Sequence, residues 1–199
     1  ELMPLLMKKG DQEKIFKKLE MMRTTCDKIA KFTDGLMDGG PEETTFYPHN
    51  VNQIIENVLA FLKPQNKFDR VEFRTELDSG LPQAPVDAGQ IQQLLVNLIT
   101  NAADALAERK EGALCTIRSF SGTHDGFPCV HIHVQDNGSG VALDKVELLF
   151  VQRFTTKKRG HGIGLITCKK IIDSHRGVIA YRHEGGALFS VALPVVAPS

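Results

Sequence analysis

At 199 residues with 42% hydrophobic content, the chain is long enough to bury one medium-sized core with an accessory element beside it. Its 24 basic and 24 acidic residues cancel, which argues against nucleic acid or an anionic membrane as a bulk-charge partner. No apolar run reaches the roughly 18–20 residues needed to span a bilayer, so the fragment itself makes no membrane contact and a partner is recognised by a local site.

The chain begins without Met inside an apolar stretch, Glu1 to Met7, and reads as a fragment. From Asp11 to about Met37, Ile15, Leu19, Met22, Cys26, Ile29 and Leu36 recur at helical spacing. With Leu2 to Lys9 as the end of a preceding helix and Gly10-Asp11 as the turn, residues 1–40 predict part of a helical hairpin. Its apolar stripe favours homodimerisation; the alternative is packing on the domain that follows. Asp38-Gly39-Gly40-Pro41 stops the helix, which places a domain boundary near residue 40 and a second domain over 41–199.

Beyond the boundary, Thr44 to Tyr47 predicts a short strand and Val51 to Leu62 a helix capped by Asn50. Val71 to Leu77 alternates as a strand, Pro82 to Pro85 reads as loop, and Asp87 caps a long helix. Strands are expected over Ala113 to Ser119 and Val130 to Gln135, joined by the turn-rich 121–128. His131 and His133 share one face of the second strand, with no third ligand in reach to make a metal site. A short helical stretch over Val141 to Phe150, a basic loop over Gln152 to Gly160, a helix over Gly164 to Asp173, and strands over Val178 to Arg182 and Leu188 to Leu193 complete the chain. The order predicts an α/β sandwich, a mixed sheet covered by three helices. Cys26, Cys115, Cys129 and Cys168 are widely spaced in apolar or helical contexts, as buried thiols of a reducing cytoplasmic protein would be.

Three stretches carry chemistry. On the long helix, Asn97, Asn101 and Asp104 fall within an arc of roughly 60° at about 100° per residue, opposite Leu95, Leu98, Ile99, Ala102 and Leu106. Asn disfavours helix interiors, so two of them four apart suggest a use such as holding a metal ion against a ligand; a merely solvated face is the alternative. Asp136-Asn137-Gly138-Ser139-Gly140 follows directly after a strand and suits a carboxylate meeting an amine beside a closely approaching ring, although the same pattern also makes ordinary turns. Gly160-His161-Gly162-Ile163-Gly164-Leu165 opens a helix whose first amides can meet a phosphate. Before it, Phe154, Thr155, Thr156 and Lys157 lie in a loop whose basic cluster suits a polyphosphate.

Taken in order, these stretches resemble the N, G1, F and G2 boxes of the histidine-kinase catalytic domain, within the superfamily of gyrase, heat-shock chaperone, histidine kinase and mismatch-repair ATPases. The resemblance covers roughly residues 45 to 195 and implies the Bergerat α/β sandwich, with ATP held between the Asn-bearing helix and the loop over it. It implies that Asp136 binds the adenine amine, with Gly138 and Gly140 shaping the pocket. Asn101 would coordinate Mg²⁺, Asn97 would orient the metal or its water, and Asp104 would support the nucleotide or the helix edge. Phe154, Thr155, Thr156 and Lys157 would belong to the lid. Gly160, His161, Gly162, Ile163, Gly164 and Leu165 would line the phosphates, and Ser190 would stand where the family often has Thr near adenine.

The hydrolytic members resemble one another in having Glu where this chain has Asn97. An amide is no base at neutral pH, so the resemblance implies a kinase and not an ATPase. Residues 1–40 contain no His. The acceptor imidazole is therefore expected upstream of Glu1, in the missing half of the family's dimerisation domain, or elsewhere. The resemblance then implies autophosphorylation of that histidine, onward transfer to the receiver domain of a response regulator, and a parent protein that can be membrane-anchored. A nucleotide-binding scaffold without catalysis and a hydrolytic ATPase of the same superfamily are the competing readings.

Overall fold

The computed structural model describes residues 46–109, 111–151 and 163–196. The expected hairpin over 1–40, Cys26 and most of the basic loop therefore lie outside the described residues. Strand β1 spans Tyr47–His49 and helix α1 Val51–Leu62, followed by a 3-10 turn at Asn66–Phe68, β2 at Glu72–Leu77 and β3 at Ala84–Val86. Helix α2 covers Ala88–Leu106, and β4 (Leu114–His124) and β5 (Phe127–Asp136) form a hairpin. A 3-10 helix at Leu143–Leu148, helix α3 (Gly164–Ser174), β6 (Val178–His183) and β7 (Ala187–Pro194) end the fold.

The helices form where caps and apolar spacing require them. Asn50 accepts from the Asn52 amide at 3.0 Å and opens α1, whose Val51, Ile54, Ile55, Val58, Leu59 and Leu62 are buried on one face. Asp87 accepts from the Gln90 amide at 2.9 Å and opens α2, which buries Ile91, Leu94, Leu95, Leu98, Ile99 and Leu106. These faces pack on one side of a five-stranded sheet of order β2-β4-β5-β7-β6, in which β2 and β4 are parallel and all other neighbours antiparallel. Side chains alternate across each strand, so Ile132 and Val134 of β5 join the core while His131 and His133 lie on the face without helices. The result is the expected mixed sheet covered by three helices, a Bergerat-type sandwich. Cys115, Cys129 and Cys168 are buried free thiols.

Three local expectations need correction. The segment Pro82 to Pro85 is not all loop: Ala84–Val86 pairs antiparallel with Tyr47–His49 as a separate two-stranded sheet. Its central rung sets Pro48 opposite Pro85, a pairing that apolar alternation cannot signal. The first strand lies at Tyr47–His49, later in the chain than the expected Thr44 to Tyr47. The loop expected at 121–128 is mostly ladder, because β4 and β5 pair all the way to His124 and Phe127. Asp125 (φ 48°) and Gly126 (φ 82°) alone make the turn, the two-residue left-handed geometry that an Asp-Gly pair favours. The short helical stretch expected over Val141 to Phe150 is present, as a 3-10 helix at Leu143–Leu148.

Candidate nucleotide site

The last residue of β5, Asp136, points to the helix-covered side of the sheet and is 3% exposed. Its Oδ1 accepts from the Gly138 amide at 2.8 Å and the Ala187 amide at 3.3 Å. Burial raises its pKa, and the two amides and His183 oppose that rise by favouring the carboxylate. Cys115, its partner across the β4–β5 ladder, is pushed up to about 12 by burial and by Asp136, so the thiol stays protonated and adds no charge.

The loop after Asp136 is held from several sides. A Cβ on Gly138 would stand 2.9 Å from Asp136 Oδ1 and 3.1 Å from the Ala105 carbonyl oxygen, a space only glycine fits. At Gly140 (φ +68°), a Cβ would meet His183 Nδ1 at 2.4 Å. The Val141 amide donates to Tyr181 Oη at 2.9 Å. Asn137 anchors the loop to the start of β4: its Oδ1 accepts from the Leu114 amide at 3.0 Å, its Nδ2 donates to the Gly112 carbonyl at 2.8 Å, and Arg109 donates to its main-chain oxygen at 2.6 Å. Asn137, Arg109, Tyr181 and His183 were not legible as site residues. Between β6 and β7, Gly186 lets the hairpin tip lie so close that a Cβ there would stand 2.1 Å from the Asp136 carbonyl oxygen.

The second part of the site is where α2 meets α3. Asn97 Nδ2 lies 3.5 Å from the carbonyl oxygen of Gly164, the first residue of α3, a contact at the outer limit of a hydrogen bond. Ile163 precedes α3 with no side-chain cap, and Leu165 packs against the core. Asn101 is half-buried one turn further along α2. Asp104, on the same face, is paired with Lys67 Nζ at 2.5 Å and so ties α2 to the 3-10 turn after α1. Beneath Asn97, the Cys168 thiol is pushed up to about 12 by burial.

The structure therefore brings Asp136, Gly138 and Gly140 together at the end of β5, and Asn97 together with Gly164 between the helices. Phe154, Thr155, Thr156, Lys157, Gly160, His161 and Gly162 lie outside the described residues. Ser190 is not gathered with the rest. It pairs with His133, and both therefore face the side of the sheet without helices, opposite Asp136. The β7 residue that reaches Asp136 is Ala187, through its backbone amide. Among the described residues no group of three or more His, Cys, Asp or Glu side chains is placed to hold a metal ion.

The histidine kinase-, DNA gyrase B-, and HSP90-like ATPase family matches over residues 86–197. The chain is 35% identical over 179 residues to the sensor protein TdiS of Thauera aromatica, covering 88% of this chain and 30% of that protein. Among solved structures, the catalytic domain of histidine kinase ThkA superposes with a TM-score of 0.65 at 30% identity, covering 75% of this chain and 95% of that one. A second structure, histidine kinase ThkA in complex with response regulator protein TrrA, superposes with a TM-score of 0.63 at 26% identity, covering 97% of this chain and 52% of that one. The chain spans about a third of the length of the curated relatives it matches. With more than half of its residues matched, the chain belongs to the histidine kinase-, DNA gyrase B-, and HSP90-like ATPase family, and its catalytic domain is of the histidine-kinase type.

Proposed function

We propose that the chain binds Mg-ATP and supplies the γ-phosphoryl group to a histidine outside residues 1–199, for onward transfer to an aspartate of a response regulator. The observation that carries this reading is a buried carboxylate, Asp136, at one end of a layer whose other end sets Asn97 beside the first turn of α3. Asp136 accepts the adenine amine, and Gly138 and Gly140 shape the pocket by letting the loop pack closely beside it. The first turn of α3 meets phosphate through its amides and helix dipole, with Gly164 leading it. Lys157, Thr155 and Thr156 contribute charge and hydroxyl groups from the loop before α3.

Asn97 and Asn101 fit Mg²⁺ as amide oxygen donors, and the protonated Cys168 thiol nearby offers no thiolate to a softer metal. Asn101 would hold the ion, with Asn97 orienting it; when bound, Mg²⁺ neutralises phosphate charge. Asn97 cannot take a proton from water, which supports transfer to an imidazole over hydrolysis. Residues 1–40 act as the dimerisation element ahead of a catalytic domain over 41–199, and the ThkA–TrrA complex supports a receiver domain as partner.

Calorimetric titration with ATP, with and without Mg²⁺, tests the site. Binding that tightens with Mg²⁺ is expected, and no binding in either condition refutes the reading. Adding a helical hairpin that carries the acceptor histidine then separates the alternatives: phosphohistidine formation is expected. Steady phosphate release without it would make the protein a hydrolytic ATPase.

A further inference from the structure

We propose that His175 is a positioning residue for the nucleotide site, fixing the lengthwise register of α3 against α2 and so the place of the first turn of α3 relative to Asn97. The proposal rests on the nucleotide reading above. His175 follows α3 directly and is 3% exposed. Its Nδ1 lies 2.7 Å from the Ile171 carbonyl oxygen, which can only accept, so Nδ1 carries the proton. Its Nε2 lies 3.0 Å from the Asp87 amide, which can only donate, so Nε2 is bare. One neutral tautomer alone satisfies both bonds.

The two partners matter because of where they stand. Ile171 is in the last turn of α3, and Asp87 is the residue whose carboxylate caps α2. Ser174 Oγ reinforces the junction, within hydrogen-bonding distance of Gln90 Oε1 (3.1 Å), the Ile171 carbonyl (2.7 Å) and His175 Nδ1 (3.3 Å). The helices run antiparallel, so Asn97 and Gly164 meet at the opposite end, about ten residues or ~15 Å away. Apolar burial between the helices is non-directional and tolerates sliding. The imidazole bonds do not, and a rigid helix carries any shift at His175 to Gly164. Phe46 packs edge-on against the same ring at 5.0 Å, and β1 pairs with β3, which leads into Asp87.

The role predicts a split between two ligands. Adenosine meets only the Asp136 end, whereas ATP needs both ends. In the full 199-residue chain, His175→Phe keeps the ring and loses both hydrogen bonds, and is expected to weaken ATP binding about 5-fold or more while adenosine affinity stays as in wild type. His175→Gln, whose amide has one donor and one acceptor, restores ATP binding. Titrations are run with Mg²⁺ at pH 8, below each variant's melting transition. Equal ATP affinity in the Phe variant, or parallel loss of ATP and adenosine, overturns the proposal. A wild-type chain that binds neither ligand overturns the nucleotide reading with it.

If the Phe variant does not fold, pH decides between wild type and the Gln variant. Asp87 is the charged side chain acting on the ring; Phe46, Ser174 and Gln90 do not titrate. Acid protonates Nε2 and turns an acceptor toward the Asp87 amide into a donor. Wild type should then lose ATP affinity relative to the Gln variant as pH falls below 6.5, and coincident profiles overturn the proposal.

Discussion

The two ends of the candidate site are built in different ways. At Asp136, a strand end, a neighbouring strand and a hairpin tip converge, and the Asp136 carboxylate, the Asn137 side chain and the Val141 amide are each held by partners at ordinary bonding distance. At the other end, α2 and α3 bring Asn97 to Gly164 at 3.5 Å, the outer limit of a hydrogen bond. The first end is fixed by β-ladder register, which admits no intermediate positions, because a slip of one residue turns every side chain over. The second is fixed by helix packing, which admits small shifts. A pocket with one rigid end and one adjustable end suits a ligand whose base is recognised while its phosphates are being moved.

Steric change at the rigid end should give the largest effect. Gly186→Ala would force a Cβ against the Asp136 carbonyl oxygen, and a destabilisation of about 3 kcal/mol is expected, read as a lower midpoint in denaturant. A midpoint equal to wild type would show that the hairpin tip is free to move away. Next, Asp136→Asn removes a charge-assisted hydrogen bond, with an expected loss of roughly 1.5–3 kcal/mol in adenine nucleotide affinity. Unchanged affinity by calorimetry would take Asp136 out of the pocket.

Effects at the helix junction should be smaller. Burial lowers the His175 pKa below its ordinary 6.5, so the folded protein binds this proton less readily than the unfolded chain. The stability it confers is complete above about pH 6.5 and is lost as pH falls through the lowered value. Urea melts at stepped pH should show this decline, and its persistence in His175→Gln would assign it to another group. Asn101→Ala is expected to weaken Mg²⁺-dependent ATP binding by about 1 kcal/mol and metal-free binding by less. Equal losses would remove Asn101 as the metal ligand. Last, Lys67→Ala breaks a half-exposed ion pair with Asp104, and a change within about 0.5 kcal/mol in stability is expected. A loss of ATP affinity in the same variant would link Asp104 to nucleotide binding.

Much of the fold was legible because its signals are local. Asn50 and Asp87 cap the helices that their positions announced, and the period of Val51 to Leu62 is the period of the buried face. Asp136 and its glycines could be picked out because a carboxylate at a strand end beside two glycines is a short-range pattern. Other features have no local signal. The β1–β3 pair joins residues almost forty apart through prolines, and the Asp125-Gly126 turn was hidden within a longer run of turn-forming residues. Ser190 was matched by its place in a motif, but the face a strand residue occupies depends on its ladder partner, here His133.

By itself, then, the sequence determined the helices and their caps, the layer order, and which residue types are available for chemistry, because caps, periodicity and glycine-bearing turns act over a few residues. Only the tertiary structure decided which of those residues meet. It brought the Ala187 amide to Asp136, turned Ser190 away, and placed His175 between a helix end and a helix cap 88 positions away in sequence. Those contacts follow from strand register and helix packing, and both are settled by burying a common core that no short stretch of the chain contains.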